Sequence, residues 1–476
     1  MIAARFAERS LGLLSTLILV RLLLPADFGI VAMAISIIAV VEIIGAFGFD
    51  TVLIYRQDAS REQYDTAWTF KVIVAAATAV LLLLLAVPAA RFYGEPELAV
   101  VIVVLAASSF VQGFENIGIV DFRKALQFDK EFAYILYRKL ISFGLTIPLA
   151  FMLRNYWALV IGTVVSKVAG VVLSFVLHSY RPRLSLAARS TLFNFSKWLM
   201  LNNLILLARD RSADFTIGRF LGSHDLGLYS VSYEVSNLPT QQLAAPINRA
   251  VFPGYAKQAH DLSELRASFV QVMSILWMCA LPAGAGIAVT APVLVPVVLG
   301  QNWLEAIPLL RILAAFGTLM IMQANIGYVF YALGSPRTTT MLTLGYVAIL
   351  LPLLIALTAT EGAVGAAWAN LVTTAMFVPI SLTIVFRRLQ CPVQKFVSAV
   401  WRTLAAVGVM LVGVVTLLRW TGDAAPFAAL AGSVVAGIAI YVATLATLWV
   451  LSGRPSGAES VVLERFSSAL RGRRLT

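Results

Sequence analysis

The sequence predicts an all-α integral membrane protein of about fourteen transmembrane helices, arranged as two parallel six-helix lobes plus two C-terminal helices. Three observations predict it. The composition is 60% hydrophobic and only 13% charged, with a mean hydropathy of +0.87, far from that of a water-soluble domain. Apolar runs near or above the roughly 18 residues that read as a spanning helix recur from end to end, leaving no stretch for a soluble domain. A turn motif also returns at a fixed offset: Arg21-Leu-Leu-Leu-Pro-Ala-Asp27-Phe-Gly29 reappears as Arg219-Phe-Leu-Gly-Ser-His-Asp225-Leu-Gly227, and 219 − 21 is 198 residues.

Apolar windows and their breakers place the spans near 5–24, 28–49, 67–87, 98–118, 132–153, 157–178, 192–221, 226–251, 266–289, 304–331, 338–357, 362–385, 399–418 and 427–451. The segment 290–299, Thr-Ala-Pro-Val-Leu-Val-Pro-Val-Val-Leu, is too short to span and is expected at the membrane interface. Leu11 to Leu24 follows Arg5 and Arg9 as the apolar core of a signal peptide would, but the spans behind it predict an uncleaved first helix.

Six spans separate the two copies of the turn motif, so both halves start on one side of the bilayer as parallel repeats, with substrate expected between them. The division that follows is an N-terminal lobe over 1–190, a second lobe over 191–390, an appended helix pair over 391–451 and a basic tail over 452–476. The arginine near a helix end and the Asp-x-Gly of a tight turn are explained by interface anchoring and turn chemistry, without a direct role in transport.

Nineteen lysines and arginines fall in the loops and tail on the side of the C-terminus, against Arg91, Arg154 and Arg419 on the other, which predicts both termini in the cytoplasm. The net charge of +12 is spread between apolar runs instead of forming one patch, so it speaks for membrane lipids as partners and against nucleic acid. Cys279 and Cys391 are isolated and read as free thiols. No Gly-x-x-x-x-Gly-Lys-Ser loop is present, and His178, His224 and His260 are scattered, so neither a cofactor nor a metal site is expected.

Ionisable groups inside spans are costly and face a protein interior or an aqueous cavity, which makes them the functional candidates. In the seventh span Asn203, Asp210 and Asp214 fall within about 40° of one another, with Arg211 on the flank and Lys197 nearer the cytoplasm. The repeat offset maps Asp210 and Asp214 onto Gly12 and Thr16 of the first span, whose face continues to Arg5 and Arg9. In the eighth span Ser230, Glu234, Asn237, Gln241 and Asn248 fall within about 60°, beside Pro239 and Pro246, which interrupt the helical hydrogen-bond ladder. Lys71, Lys167, Arg249, Arg311 and Glu42 stand singly in other spans, with Arg138 and Lys139 near the cytoplasmic end of the fifth.

Two readings compete for these groups. In one, the carboxylates neutralise Arg211 or Lys197 and the asparagines join helices. In the other, a cationic cavity drawn from Arg5, Arg9, Lys71, Lys167, Lys197, Arg211, Arg249 and Arg311 holds an anionic headgroup, while Asp210, Asp214, Glu234 or Glu42 takes a coupling ion. The surplus of basic groups favours the second reading and disfavours an exporter of organic cations, for which a net acidic cavity is expected. A membrane-embedded glycan polymerase or ligase needs a large extracytoplasmic loop, and the non-cytoplasmic loops are short.

The chain resembles the polysaccharide transporters of the multidrug/oligosaccharidyl-lipid/polysaccharide exporter superfamily, the Wzx-type flippases. The resemblance rests on Leu19-Val-Arg-Leu-Leu-Leu-Pro-Ala-Asp-Phe-Gly-Ile-Val, Arg91-Phe-Tyr-Gly-Glu-Pro-Glu-Leu, Tyr156-Trp-Ala-Leu-Val, Arg181-Pro-Arg-Leu, Asp214-Phe-Thr-Ile-Gly-Arg-Phe-Leu-Gly, Val251-Phe-Pro and Leu299-Gly-Gln-Asn-Trp, in this order and spacing. It implies a MATE-like fold with two six-helix lobes around a cavity open alternately to either side. The implied cargo is an oligosaccharide unit on undecaprenyl diphosphate, carried across the inner membrane for lipopolysaccharide, O-antigen or exopolysaccharide assembly, with ion coupling. A polysaccharide polymerase and a chain-length regulator are the implied partners. Relatives usually have more residues ahead of the first helix, a departure that bears on Arg5 and Arg9.

Overall fold

The computed structural model describes residues 2–44, 53, 58–125, 127–187, 197–420, 425–455 and 457–464, with the backbone alone for 2–10, 13, 44, 197–203 and 238–250. Among the described residues there are helices and no strands. The chain runs α1 (Ile2–Leu22), α2 (Pro25–Ile44), α3 (Arg61–Tyr93), α4 (Glu97–Gly113), a 3-10 turn (Ile117–Ile119), α5 (Val120–Lys124), α6 (Phe128–Leu153) and α7 (Trp157–Leu177). It continues through α8 (Lys197–Gln258), α9 (Leu262–Leu294), α10 (Ala306–Ala332), α11 (Pro336–Arg388), α12 (Val393–Trp420) and α13 (Pro426–Leu451).

Local chemistry sets the ends. Pro25, Pro336 and Pro426 each open a helix, where a fixed φ is an advantage and the missing N–H costs nothing. Ser60 and Gln63 form a reciprocal capping box at the start of α3, and Gly94 closes that helix in the left-handed conformation. Both α8 and α11 are broken by a glycine, Gly222 (φ 85°, ψ −170°) and Gly362 (φ 65°, ψ −147°), in backbone regions that side chains rarely adopt.

Nine described helices are long and apolar enough to cross a membrane, or ten if the bent pair Glu97–Gly113 and Ile117–Lys124 is one span. The fourteen expected from sequence include helices that miss this test for visible reasons. Arg5, Glu8 and Arg9 crowd α1, the arms of α8 are rich in charged and amide groups, and α11 is counted once although it has two arms. The expected interfacial segment 290–299 is not separate. Residues 290–294 complete α9 and Val295–Leu299 continues it as a π-helical turn, with Val295 and Leu299 fully buried. The helix tolerates Pro292 and Pro296 there, the wider turn carrying the chain on to Gly300 (φ 108°).

The structure divides into two compact units, Met1–Ser230 and Val231–Thr476. In the first, α3 packs on α4, α6 on α7, α4 on α7 and α1 on α6. The two copies of the turn motif meet there reciprocally. A Cβ on Gly29 would strike the carbonyl of Ser223, and a Cβ on Gly227 would strike the carbonyl of Pro25. Since 25 + 198 is 223 and 29 + 198 is 227, each glycine admits the residue four positions ahead of the matching glycine in the other copy. Asp27 accepts from the Leu24 amide (2.9 Å) and the Tyr156 amide (2.8 Å), tying the α1–α2 turn to the start of α7.

In the second unit α9 is the central helix, in contact with α10, α12 and α13. The chain beyond α13 folds back, and Glu459 meets Arg402 of α12 in a buried two-pronged ion pair (2.7 and 3.2 Å).

Candidate functional site

The first unit contains a cavity of about 410 Å³ lined by α1, α4, α6 and α7. Its wall carries five hydroxyl side chains, Ser15, Ser142, Thr146, Thr163 and Ser166, together with Gln112 and two cations, Arg138 and Lys167. Small residues make the room. Gly162 of α7 admits Thr146 of α6, where a Cβ would collide with the threonine hydroxyl, and at Gly170 a Cβ would press to 3.1 Å from Cδ of Arg138.

The cations are held by groups from distant parts of the chain. Lys167 Nζ donates to Ser109 Oγ at 2.8 Å and lies 3.6 Å from the Glu42 carboxylate of α2. Next to Arg138, α4 breaks at Gly113 and the chain bends by 70° into the 3-10 turn and α5. Asn116 fixes that break: its carbonyl oxygen accepts from the Gly118 amide (2.9 Å), its amide side chain donates to the Tyr180 carbonyl (2.7 Å), and its backbone N–H donates to Ser174 Oγ (2.9 Å). The bend aims Glu115 at Lys71 (2.7 Å), and the Tyr134 hydroxyl donates to the same carboxylate. The Arg138 guanidinium lies 5.8 Å from the Tyr134 ring centroid, and its buried Nε has no hydrogen-bond partner among the described residues.

With no carboxylate among its lining residues, two cations and a band of hydroxyls, this cavity suits an anion that carries or borders polar hydroxyl groups. Among the described residues no group of three or more His, Cys, Asp or Glu is placed to hold a metal ion.

The family pattern described as polysaccharide biosynthesis protein matches residues 18–308, more than half of the 476. The chain belongs to this family. It is 24% identical over 297 residues to the teichuronic acid biosynthesis protein TuaB of Bacillus subtilis (strain 168), covering 62% of this chain and 62% of that protein. It is 26% identical over 334 residues to the lipopolysaccharide biosynthesis protein WzxC of Escherichia coli (strain K12), covering 68% of this chain and 66% of that protein. The chain thus spans just under two thirds of the length of both relatives. Among solved structures, the lipid II flippase MurJ in an inward closed conformation superposes with a TM-score of 0.74 at 13% identity, over 94% of this chain and 98% of that one. An inward-facing multidrug resistance MATE family transporter of the MOP superfamily gives 0.59 at 16% identity, over 80% of this chain and 95% of that one. These likenesses show the fold that the two structures share, in a multi-pass membrane protein with nine described helices long and apolar enough to cross a bilayer.

Of the candidate residues read from the sequence, the structure gathers only some. Lys167 and Glu42 meet at the cavity, and Lys71 stands beside it, neutralised by Glu115. Arg211 pairs instead with Asp214 at 3.0 Å, and the exposed Asp210 pairs with Arg209 at 2.7 Å, so the seventh-span stripe forms two local ion pairs. Asn237 donates back to the Tyr233 carbonyl (2.8 Å) and Glu234 is exposed. Arg311 lies in the other unit, in a groove with Arg419. The side chains of Arg5, Arg9, Lys197, Asn203, Gln241, Asn248 and Arg249 lie outside the described residues. Sequence reasoning noticed Arg138 without counting it toward the cavity, and it passed over Glu115, Ser109 and the hydroxyl band. The signal for Glu115 was a carboxylate directly before Asn116 at the end of an apolar run.

Proposed function

We propose that the chain is a flippase, a transporter and not an enzyme, that moves oligosaccharide units linked to undecaprenyl diphosphate across the bacterial inner membrane. Its products feed lipopolysaccharide, O-antigen or exopolysaccharide assembly, with a polymerase and a chain-length regulator as downstream partners. The observation that carries this reading is the cavity in which Arg138 and Lys167 stand in a wall of hydroxyls, in a chain of the polysaccharide biosynthesis family. The cations neutralise the diphosphate and the hydroxyls hold the first sugar, which lowers the cost of taking both through the bilayer. Substrate passes between two six-helix lobes, 1–190 and 191–390, by alternating access, and the lysine and arginine bias puts both termini in the cytoplasm. Glu42 is our candidate for ion coupling over Asp210, Asp214 and Glu234, because its carboxylate is the one beside a cavity cation.

The test is deletion of the gene followed by assay of surface polysaccharide and of lipid-linked oligosaccharide in membrane fractions. The expected result is loss of the polymer with accumulation of unflipped lipid-linked units, restored by the wild-type gene. Normal polysaccharide together with new sensitivity to cationic drugs would overturn the reading in favour of a multidrug exporter.

A further inference from the structure

The second unit carries a different cationic feature, a groove of about 630 Å³ between α9, α10 and α12. Its walls are apolar, with Ala288 and Val289 on α9 facing Leu411 and Val415 on α12, and at one end stand Arg311 of α10 and Arg419 of α12. No carboxylate lines it, and neither guanidinium is in an ion pair among the described residues. From Leu411 to Arg419 the wall extends about 12 Å along the helix.

The two arginines reach the groove from different helices. Arg419 is in the last turn of α12 and is followed by Trp420, which is 87% exposed, the placement of an aromatic anchor at headgroup depth. Arg311 is in the second turn of α10, just after the chain leaves the π-helical turn and Trp303. Two arginines in an otherwise aliphatic groove match an amphiphile with a phosphate head and hydrocarbon tails. The planar guanidinium forks grip phosphate oxygens in pairs, and the tails replace contacts that water would otherwise spoil.

We propose that this groove is a resident site for an anionic phospholipid of the bilayer, clamped by Arg311 and Arg419, with its acyl chains along α9 and α12. The choice of a bilayer lipid over a glycan-linked cargo rests on the lining. Apart from the two arginines it is wholly aliphatic, with no hydroxyl or amide side chain to hold a sugar, unlike the cavity of the first unit. The site also borders the apolar packing of α12 on α9, where Ala406, Met410 and Val414 meet Ala285 and Val289. The proposal does not depend on the identity of the cargo.

The experiment uses the full-length protein purified in mild detergent and exchanged into mixed micelles of phosphatidylglycerol and phosphatidylcholine. Lipid that stays bound is counted by native mass spectrometry. Wild type should retain phosphatidylglycerol in preference, by about fivefold for each arginine. In R311Q and R419Q the preference should fall stepwise, and in the double variant it should vanish. Filling the channel with Ala288→Trp should lower retention of the acyl chains with both arginines present. Equal retention of the two lipids by wild type would overturn the proposal even if the variants fail to fold, as would an unchanged preference in a monodisperse double variant. Displacement of phosphatidylglycerol by equimolar undecaprenyl diphosphate would also overturn it, making the groove part of the cargo path. Because no transport is measured, failure here is separable from failure of the flippase reading.

Discussion

The two units place paired cations in opposite surroundings. In the N-terminal cavity Arg138 and Lys167 stand among five hydroxyls, with the carboxylates of Glu42 and Glu115 bonded to the neighbouring cations. In the C-terminal groove Arg311 and Arg419 stand at the end of an aliphatic wall with no acid lining it. The sequence reading puts Lys167 and Arg311 into one cationic cavity. The structure separates them: a polar cavity with counter-charges behind it can release an anion once bound, while an unbalanced pair over an apolar channel favours keeping one.

Charge reversal is the strongest way to break this contrast. Arg138→Glu or Lys167→Glu should cut export of lipid-linked oligosaccharide by about a hundredfold, the equivalent of roughly 3 kcal/mol for an uncompensated buried charge. Arg311→Glu should cut it by no more than about fivefold, since its loss removes a lipid contact near the surface. Export would be read from surface polysaccharide at matched protein levels. Equal losses from the two regions would erase the distinction.

A smaller effect is expected from removing the acids that balance cations. Glu459→Gln leaves Arg402 buried without its partner, both side chains being under a tenth exposed, and should cost about 3 kcal/mol of stability. Glu115→Gln should cost less, about 1–2 kcal/mol, because the Lys71 side chain is a quarter exposed and the Tyr134 hydroxyl can still donate to the amide oxygen. Thermal unfolding of the detergent-solubilised variants gives both numbers. If Glu115→Gln is the more damaging, the Lys71–Glu115 pair beside the cavity is the deeper structural element of the two.

The helices were legible because lipid demands long apolar runs, and Pro25, Ser60 and Gly222 mark their ends by backbone chemistry that needs no partner. The duplication was legible for the same reason, since a turn motif is local. What the motif does at close range was not: nothing in one sequence says that Gly29 faces Ser223. The site was harder still. Lys71 and Glu115 are 44 residues apart, and Lys167 and Glu42 are 125 apart (167 − 42). A helical wheel gives the face a charge occupies but not the helix opposite, so it left Arg211 open between a cavity cation and a partner of Asp214, and the structure pairs those two at 3.0 Å. The segment 290–299 misled in another way. It is too short to span by itself, yet its first half completes α9, Pro292 included, and its second half continues that helix as a π-helical turn.

The smallest effect concerns the hydroxyl band and tests what kind of headgroup the cavity is made for. Two of its hydroxyl protons are already committed to backbone carbonyls: Ser142 Oγ donates to Gly162 (3.0 Å) and Thr163 Oγ1 to Leu159 (2.9 Å). What these side chains offer the cavity is therefore lone pairs, while Arg138, Lys167 and the Gln112 amide offer donors. A sugar hydroxyl both donates and accepts, and such a wall satisfies it in both directions, whereas a bare phosphate needs only the donors. Ser142→Ala and Thr163→Val should each lower export of an oligosaccharide-linked lipid by about threefold, one ordinary hydrogen bond apiece. Binding of the sugar-free prenyl diphosphate by the purified protein should not change. Val415→Thr, which puts a hydroxyl into the aliphatic groove of the other unit, should leave both measurements where they were. Equal weakening of the glycosylated and sugar-free lipids by Thr163→Val would mean that the hydroxyls only position Arg138, and the cavity would then recognise the diphosphate alone.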